Sequence, residues 1–307
     1  MDKIKSLYDL WCERATDKAI SDELNAIKGD DEAILDRFYR ELDFGTAGLR
    51  GVIGAGTNRM NIYTVGRATQ GFAEYILTVA KNKSVAIGYD SRINSDVFSK
   101  TAATVFAANG IKVWLYPVLV PTPMLSFAVR ELGCDAGVVV TASHNPSKYN
   151  GYKAYGPDGC QLNTEASKEV LGYVEKVDTF DGVKKVDFDE AVNSGMIEFI
   201  GNDVFEKYYE NVMAQSVNPE ILKSAGLKII YTALNGSGNI PVRTVLGRMG
   251  VNDITIVPEQ ELPDGNFPTA PYPNPEIREA FTLALDLAKK VEPDLLLATD
   301  PDCDRVG

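Results

Sequence analysis

Gly137-Val138-Val139-Val140-Thr141-Ala142-Ser143-His144-Asn145-Pro146-Ser147-Lys148-Tyr149-Asn150-Gly151-Tyr152-Lys153 runs from an apolar stretch straight into a polar turn. A short apolar run closed by Asn-Pro reads as a buried strand and its exit. Open α/β sheets bind their ligands beyond such strand ends, and this turn holds a Ser, two Lys and the only histidine of the chain, His144. Working outward, candidate strands near 84–89, 111–116 and 136–140 are separated by helical stretches at 61–80, 94–109 and 122–132, and residues 3 to about 40 read as helical. Such alternation implies crossover connections and a mainly parallel sheet. Residues 178–201 are charged and weakly periodic and lead into a helical run from Asp203 to Ala214. Beyond it the alternation resumes, with strands at 227–231, 254–257 and 294–298 and helices near 239–249 and 276–290. The expected fold is α/β, with two similar three-layer α/β/α domains built on mainly parallel sheets, residues 1–200 and 201–307.

With 307 residues the chain can bury two cores, and its 45% hydrophobic and 24% charged residues are ordinary for a soluble globular protein. A net charge of −12 argues against nucleic acid as a partner, because neutralising a phosphate backbone needs clustered cations. A small phosphorylated substrate needs only a few. Met1-Asp2-Lys3-Ile4-Lys5 opens no signal peptide, and no run reaches the length of a membrane helix. Cys12, Cys134, Cys160 and Cys303 are scattered without zinc or redox spacing, so the expected compartment is the reducing cytoplasm. The chain stops at Gly307 just past a strand and its loop with no closing helix, an ending expected of a cut through a larger protein.

Thr299-Asp300-Pro301-Asp302-Cys303-Asp304-Arg305 is the second constellation. In an extended strand its alternate carboxylates stand about 6.6 Å apart, too far to share a Mg²⁺ that binds oxygen at roughly 2.1 Å. They share a cation only if the segment curls, which a strand end permits; the other reading is a solvated acidic turn. Arg305 in place of the EF-hand glycine excludes that motif. The third constellation is Phe44-Gly45-Thr46-Ala47-Gly48-Leu49-Arg50-Gly51, followed by Arg59 and Arg67. Glycines let amides approach an anion and Arg50 can grip a phosphate, while a tight structural turn serves equally well.

Ser143 has three readings. A triad nucleophile needs a His oriented by an Asp and usually a Gly-x-Ser-x-Gly elbow, neither of which is present. A Ser before Asn-Pro can simply cap a helix. A serine that carries phosphate needs a metal and cations to screen about two negative charges, and the Asp loop, Arg50 and Lys153 would supply them.

Taken together these residues resemble the α-D-phosphohexomutase superfamily, in particular its phosphoglucomutase and phosphopentomutase branch. Thr141-Ala142-Ser143-His144-Asn145-Pro146 with Tyr149-Asn150-Gly151-Tyr152-Lys153 is similar to the family's phosphoserine loop, and Asp300-Pro301-Asp302-Cys303-Asp304-Arg305 to its metal loop. Gly45-Thr46-Ala47-Gly48-Leu49-Arg50-Gly51, Gly88-Tyr89-Asp90-Ser91-Arg92 and Pro263-Asp264-Gly265-Asn266-Phe267-Pro268 match further signatures, in family order along the whole chain. The resemblance implies a reversible shift of phosphate between the 1 and 6 positions of glucose, through phosphorylated Ser143 and a glucose 1,6-bisphosphate intermediate. It implies one Mg²⁺ held by Asp300, Asp302, Asp304 and an oxygen of phosphorylated Ser143. It implies catalytic roles for Ser143, His144, Lys153 and Arg50, with proton transfer by His144 or Lys153, and substrate or phosphate contacts from Arg50, Thr46, Asn145, Lys153 and Arg305.

Two departures accompany the match. Ala233-Leu234-Asn235-Gly236 stands where relatives often carry Pro-Leu-His-Gly. The family's domains III and IV, with the sugar-selecting loop and a second phosphate site, are absent, so the 307 residues are expected to turn substrate over poorly or not at all. Phosphomannomutase and phosphopentomutase activity, or a non-catalytic sugar-phosphate or divalent-ion binding protein, are the alternatives.

Overall fold

The computed structural model describes residues 2–45 and 48–307. Three short helices come first, α1 (Asp2–Arg14), α2 (Lys18–Ala26) and α3 (Asp31–Phe38). The single helical region expected from the sequence is broken because Asp17 and Asp30 each accept a hydrogen bond at 3.0 Å from a backbone amide three residues on, starting a new helix.

The first sheet unit then follows: β1 (Gly48–Val52), α4 (Ile62–Val79), β2 (Ser84–Tyr89), α5 (Ser95–Ala108), β3 (Lys112–Leu115), α6 (Thr122–Glu131), β4 (Ala136–Val140), β5 (Tyr149–Tyr155), α7 (Thr164–Val174), α8 (Phe188–Asn193) and β6 (Ile197–Phe199). Its strand order is β1-β5-β4-β2-β3-β6. The four strands β4, β2, β3 and β6 are parallel; β5 pairs antiparallel with β4, and β1 pairs antiparallel with β5. All five residues of β4 are buried, as an apolar strand covered on both faces must be. One face carries Phe72 of α4 and Phe98 and Phe106 of α5; the other carries Met124, Leu125 and Val129 of α6. β5, β6 and α7 had no counterpart among the expected elements. The weakly periodic 178–201 stretch supplies α8 and the edge strand β6.

The second unit comprises α9 (Asn202–Ala214), α10 (Pro219–Ala225), β7 (Lys228–Thr232), α11 (Asn239–Arg248), β8 (Asp253–Ile256), α12 (Thr282–Val291) and β9 (Leu295–Ala298). Its parallel sheet has the order β8-β7-β9. Alternation along central β7 sends Ile229 and Tyr231 toward Val242 and Leu246 of α11, and Ile230 toward Ala284 and Leu287 of α12. The helix expected near 276–290 begins at Thr282, after a 3₁₀ turn over Arg278–Phe281. α9 packs on both α6 and α11 and so touches both units.

Candidate active site between the two sheet units

β4 ends at Val140 and β9 at Ala298, and the polar loops that follow them meet across the two units. Ser143 sits in the first loop with φ 53°, a left-handed conformation that costs a non-glycine residue about 1–2 kcal/mol. The compensation is visible. The guanidinium of Arg92 donates to the carbonyl oxygens of Ser143 (2.5 Å), Asn145, Pro146 (3.0 Å) and Tyr149 (3.0 Å), gathering the whole turn onto one cation. Arg92 is ion-paired to Asp90 at 3.4 Å with both side chains fully buried. Asp90 also accepts from Ser95 Oγ (2.9 Å) and Thr141 Oγ1 (2.6 Å), and Thr141 Oγ1 in turn accepts from the Ser143 amide (2.8 Å). Burial pushes the Asp90 carboxyl up, and Arg92 and Thr141 oppose that rise.

The second unit closes this assembly from behind. The Phe267 ring lies 5.0 Å from the Arg92 guanidinium, and a Cβ on Gly265 would stand 2.5 Å from the Ile93 amide nitrogen, so only glycine lets the two segments approach. The Asp90/Arg92 and Gly265/Phe267 motifs, set apart by 172 residues or more, are one structural device. Neither Asp90 nor Arg92 was expected as a site residue. The available signal was their position just after β2, because Tyr89 pairs in parallel with Val140 and both strands end at the same edge.

The second loop is curled, not extended. Cys303 has φ 52° and its amide donates to the Asp300 carbonyl at 2.9 Å, while Asp300 Oδ1 accepts from the amides of Asp304 (3.1 Å) and Arg305 (3.0 Å). The curl brings one carboxylate oxygen from each of Asp300, Asp302 and Asp304 within 4.8 Å of one another. Asp300 Oδ2 accepts from Ser143 Oγ at 2.9 Å. Asp302 Oδ2 accepts from Thr122 Oγ1 (3.0 Å) and Lys153 Nζ (2.7 Å), and Lys153 also reaches Asp304 at 3.3 Å. Burial and then the neighbouring Asp302 push the Asp300 carboxyl up. Burial works most strongly against the charge on Asp302, but the Lys153 ammonium together with hydrogen bonds from Asp300, Lys153 and Thr122 holds that carboxyl down. Lys153 is raised in turn: burial disfavours its charge, and Asp302 and Asp304 more than restore it.

These residues fit a hard divalent cation. The donors are carboxylate oxygens, and among the described residues Oδ1 of the fully buried Asp302 has no hydrogen-bond partner, a costly state for an anion unless a cation takes it up.

Beside the two loops lies a cleft of about 550 Å³ lined by Arg50, Ser143, His144, Lys153, Asp304 and Arg305. Arg50 comes from β1, which reaches the cleft because Gly48 pairs closely with β5; a Cβ there would lie 1.8 Å from the Tyr152 carbonyl. Lys153 comes from β5, a strand in what the sequence presents as a loop. Arg305 pairs with Glu276 at 2.7 Å at the rim. His144 Nδ1 is 3.2 Å from Ser143 Oγ, and burial, then Arg305 and Arg50, push its pKa below the ordinary imidazole value. No carboxylate among the described residues is hydrogen-bonded to this imidazole, so the hydrolase triad has no orienting Asp. Asn145 is not among the residues lining the cleft; its side-chain amide donates to the Ala142 carbonyl at 2.8 Å and braces the loop. Thr46 lies outside the described residues.

The model of the phosphoglucomutase/phosphomannomutase α/β/α domain I matches residues 41–181, and that of domain II matches residues 206–307. The chain belongs to the phosphoglucomutase/phosphomannomutase family. A phosphoglucomutase of Staphylococcus saprophyticus is 37% identical over 298 residues, which is 97% of this chain and 53% of that protein. A probable phosphoribomutase of Schizosaccharomyces pombe is 38% identical over 320 aligned residues, 99% of this chain and 53% of its own length. The chain thus spans about half the length of the curated relatives it matches. The crystal structure of a family protein from Burkholderia thailandensis superposes with a TM-score of 0.68 at 23% identity, over 86% of this chain and 53% of that one, and shows the same fold. The α1–α3 helices precede the family domain match.

Proposed function

We propose that this chain carries the phosphoryl-transfer half of a phosphoglucomutase site, with Ser143 as the residue that is phosphorylated. The observation that carries this reading is the 2.9 Å contact of Ser143 Oγ with Asp300, which sets the hydroxyl on a three-carboxylate loop at the mouth of a cleft bearing Arg50, Lys153 and Arg305. A hydroxyl used for hydrolysis would face a base oriented by an Asp, and an oxyanion hole; one used to carry phosphate needs cations around it.

In the transfer, the Oγ–P bond of phosphorylated Ser143 breaks as a free hydroxyl of glucose 1-phosphate attacks. Glucose 1,6-bisphosphate forms, and the hydroxyl proton ends on a protein base or on Ser143 itself. After the intermediate turns over, its other phosphate returns to Ser143 by the reverse step. His144, held toward its neutral form 3.2 Å from Oγ, is suited to accept that proton. Lys153, held as an ammonium, suits charge stabilisation better. Arg50 and Arg305 bind and orient phosphate, and Asn145 supports the loop that presents Ser143. Asp300, Asp302 and Asp304, with a phosphate oxygen on Ser143, would hold Mg²⁺, which when bound supplies neutralisation of the charge on the transferring group.

The expected ligands are sugar phosphates, with glucose 1,6-bisphosphate as activator, and the expected compartment is the cytoplasm. No helix among the described residues is long and apolar enough to cross a membrane. The division into residues 1–200 and 201–307 is supported by family matches that end at 181 and resume at 206. The S. pombe relative supports a pentose phosphate as the second reading.

Intact mass after incubation with Mg²⁺ and glucose 1,6-bisphosphate tests the proposal. A gain of one phosphate that disappears in Ser143→Ala is expected. An unchanged mass in a chain that still binds Mg²⁺ would replace the enzyme with a binding module.

A further inference from the structure

Lys153 occupies part of the carboxylate cluster that could hold a divalent cation. Its Nζ lies 2.7 Å from Asp302 Oδ2 and 3.3 Å from Asp304 Oδ2, so two of the three loop carboxylates already hold a cation. The third, Asp300, is committed through Oδ1 to two backbone amides and through Oδ2 to Ser143. Among the described residues, Oδ1 of the buried Asp302 has no hydrogen-bond partner. The same Lys153 lines the cleft beside Ser143, His144, Arg50 and Arg305, so an open volume is within reach of its side chain.

We propose that Lys153 is an exchangeable counter-ion with two alternative partners. Without a divalent cation it neutralises the Asp loop; a cation taken up by the loop expels it into the cleft, where it binds the phosphate of an anionic sugar. The ammonium and a divalent cation draw on the same loop carboxylates, and their mutual repulsion in a poorly solvated site favours exchange over addition. No covalent bond changes and the ammonium keeps its three protons.

Metal binding and anion binding are then coupled through one side chain, and the coupling is reciprocal: an anion that holds Lys153 in the cleft tightens the loop for metal by the same factor. The inference rests on reading the Asp loop as a divalent-cation site, and adds that the site has an internal competitor.

Mn²⁺ binding to the dephosphorylated chain, followed by electron paramagnetic resonance at fixed free Mn²⁺, tests it. Lys153→Met and Lys153→Gln should each bind Mn²⁺ about tenfold tighter than the unsubstituted chain, within the usual range of site coupling. Glucose 1-phosphate should tighten Mn²⁺ binding several-fold in the unsubstituted chain and leave both variants unchanged. Because the variants strip Asp302 of its partner, thermal melts provide a second readout: Mn²⁺ should raise their melting temperature more than it raises that of the unsubstituted chain. Equal or weaker Mn²⁺ affinity in both folded variants overturns the exchange and leaves the metal loop standing. Mn²⁺ binding in none of the three proteins overturns the metal loop, and the exchange with it, while Ser143 phosphorylation stays separately testable.

Discussion

Arg92 donates to four carbonyls of one turn, and its planar fork is what allows a single side chain to do so. Arg92→Ala leaves Asp90 buried without its cation, and a loss of about 3–5 kcal/mol in urea unfolding is expected. Arg92→Lys keeps the charge but not the fork. It should fold, yet Ser143 should gain phosphate from glucose 1,6-bisphosphate at least about tenfold more slowly, since misplacing a reacting group is costly. Phosphorylation at the unsubstituted rate would remove Arg92 from its positioning role. His144, the only histidine, gives a single imidazole titration in proton NMR. Burial, then Arg305 and Arg50, lower its folded pKa, so the metal-free protein should titrate below the reference 6.5. The sign follows: the unfolded chain takes up the proton more readily, so the contribution of His144 to stability is present above about pH 6.5 and is lost as pH falls through the folded value.

At the scale of elements, the N-terminal helices are tied to the first unit by aromatic packing. Trp11 of α1 is 1% exposed and makes edge contacts with Phe38, Tyr63 and Phe180 at 5.4–5.8 Å. Trp11→Ala should cost about 3–5 kcal/mol in thermal or urea unfolding, and an unchanged midpoint would mean that the helices are not integral to the fold. β2, β4 and β7 were legible as continuous apolar runs because both of their faces are covered, and β3, β8 and β9 were legible too although they are only partly buried. β5 was not, because Tyr149-Asn150-Gly151-Tyr152-Lys153 has the composition of a turn; β1 and β4 on either side make it a strand. For the same reason Lys153 was legible as a cation near Ser143 but not as a partner of Asp302, a contact across 149 residues. Asn145 adds a bracing bond to Ala142 that residue type alone does not announce.

At the scale of the whole molecule, the two units meet through Ser143–Asp300, Thr122–Asp302, Lys153–Asp302 and Arg92–Phe267. A cation bound there stabilises the folded chain by mass action, about 2.7 kcal/mol at a hundredfold excess over Kd. Mg²⁺ should therefore raise the melting temperature by several degrees, EDTA should reverse the shift, and Asp304→Asn should abolish most of it. A shift that survives in Asp304→Asn would place the ion elsewhere. The joint of the molecule and its chemistry thus share one set of atoms. A substitution in α9, which touches both units and buries Val204 against the first, can shift the Ser143–Asp300 contact through packing alone. Screening variants by lost turnover alone would score hinge defects and chemical defects alike, and inherited or engineered changes far from the cleft need a folding measurement before any is given a catalytic meaning.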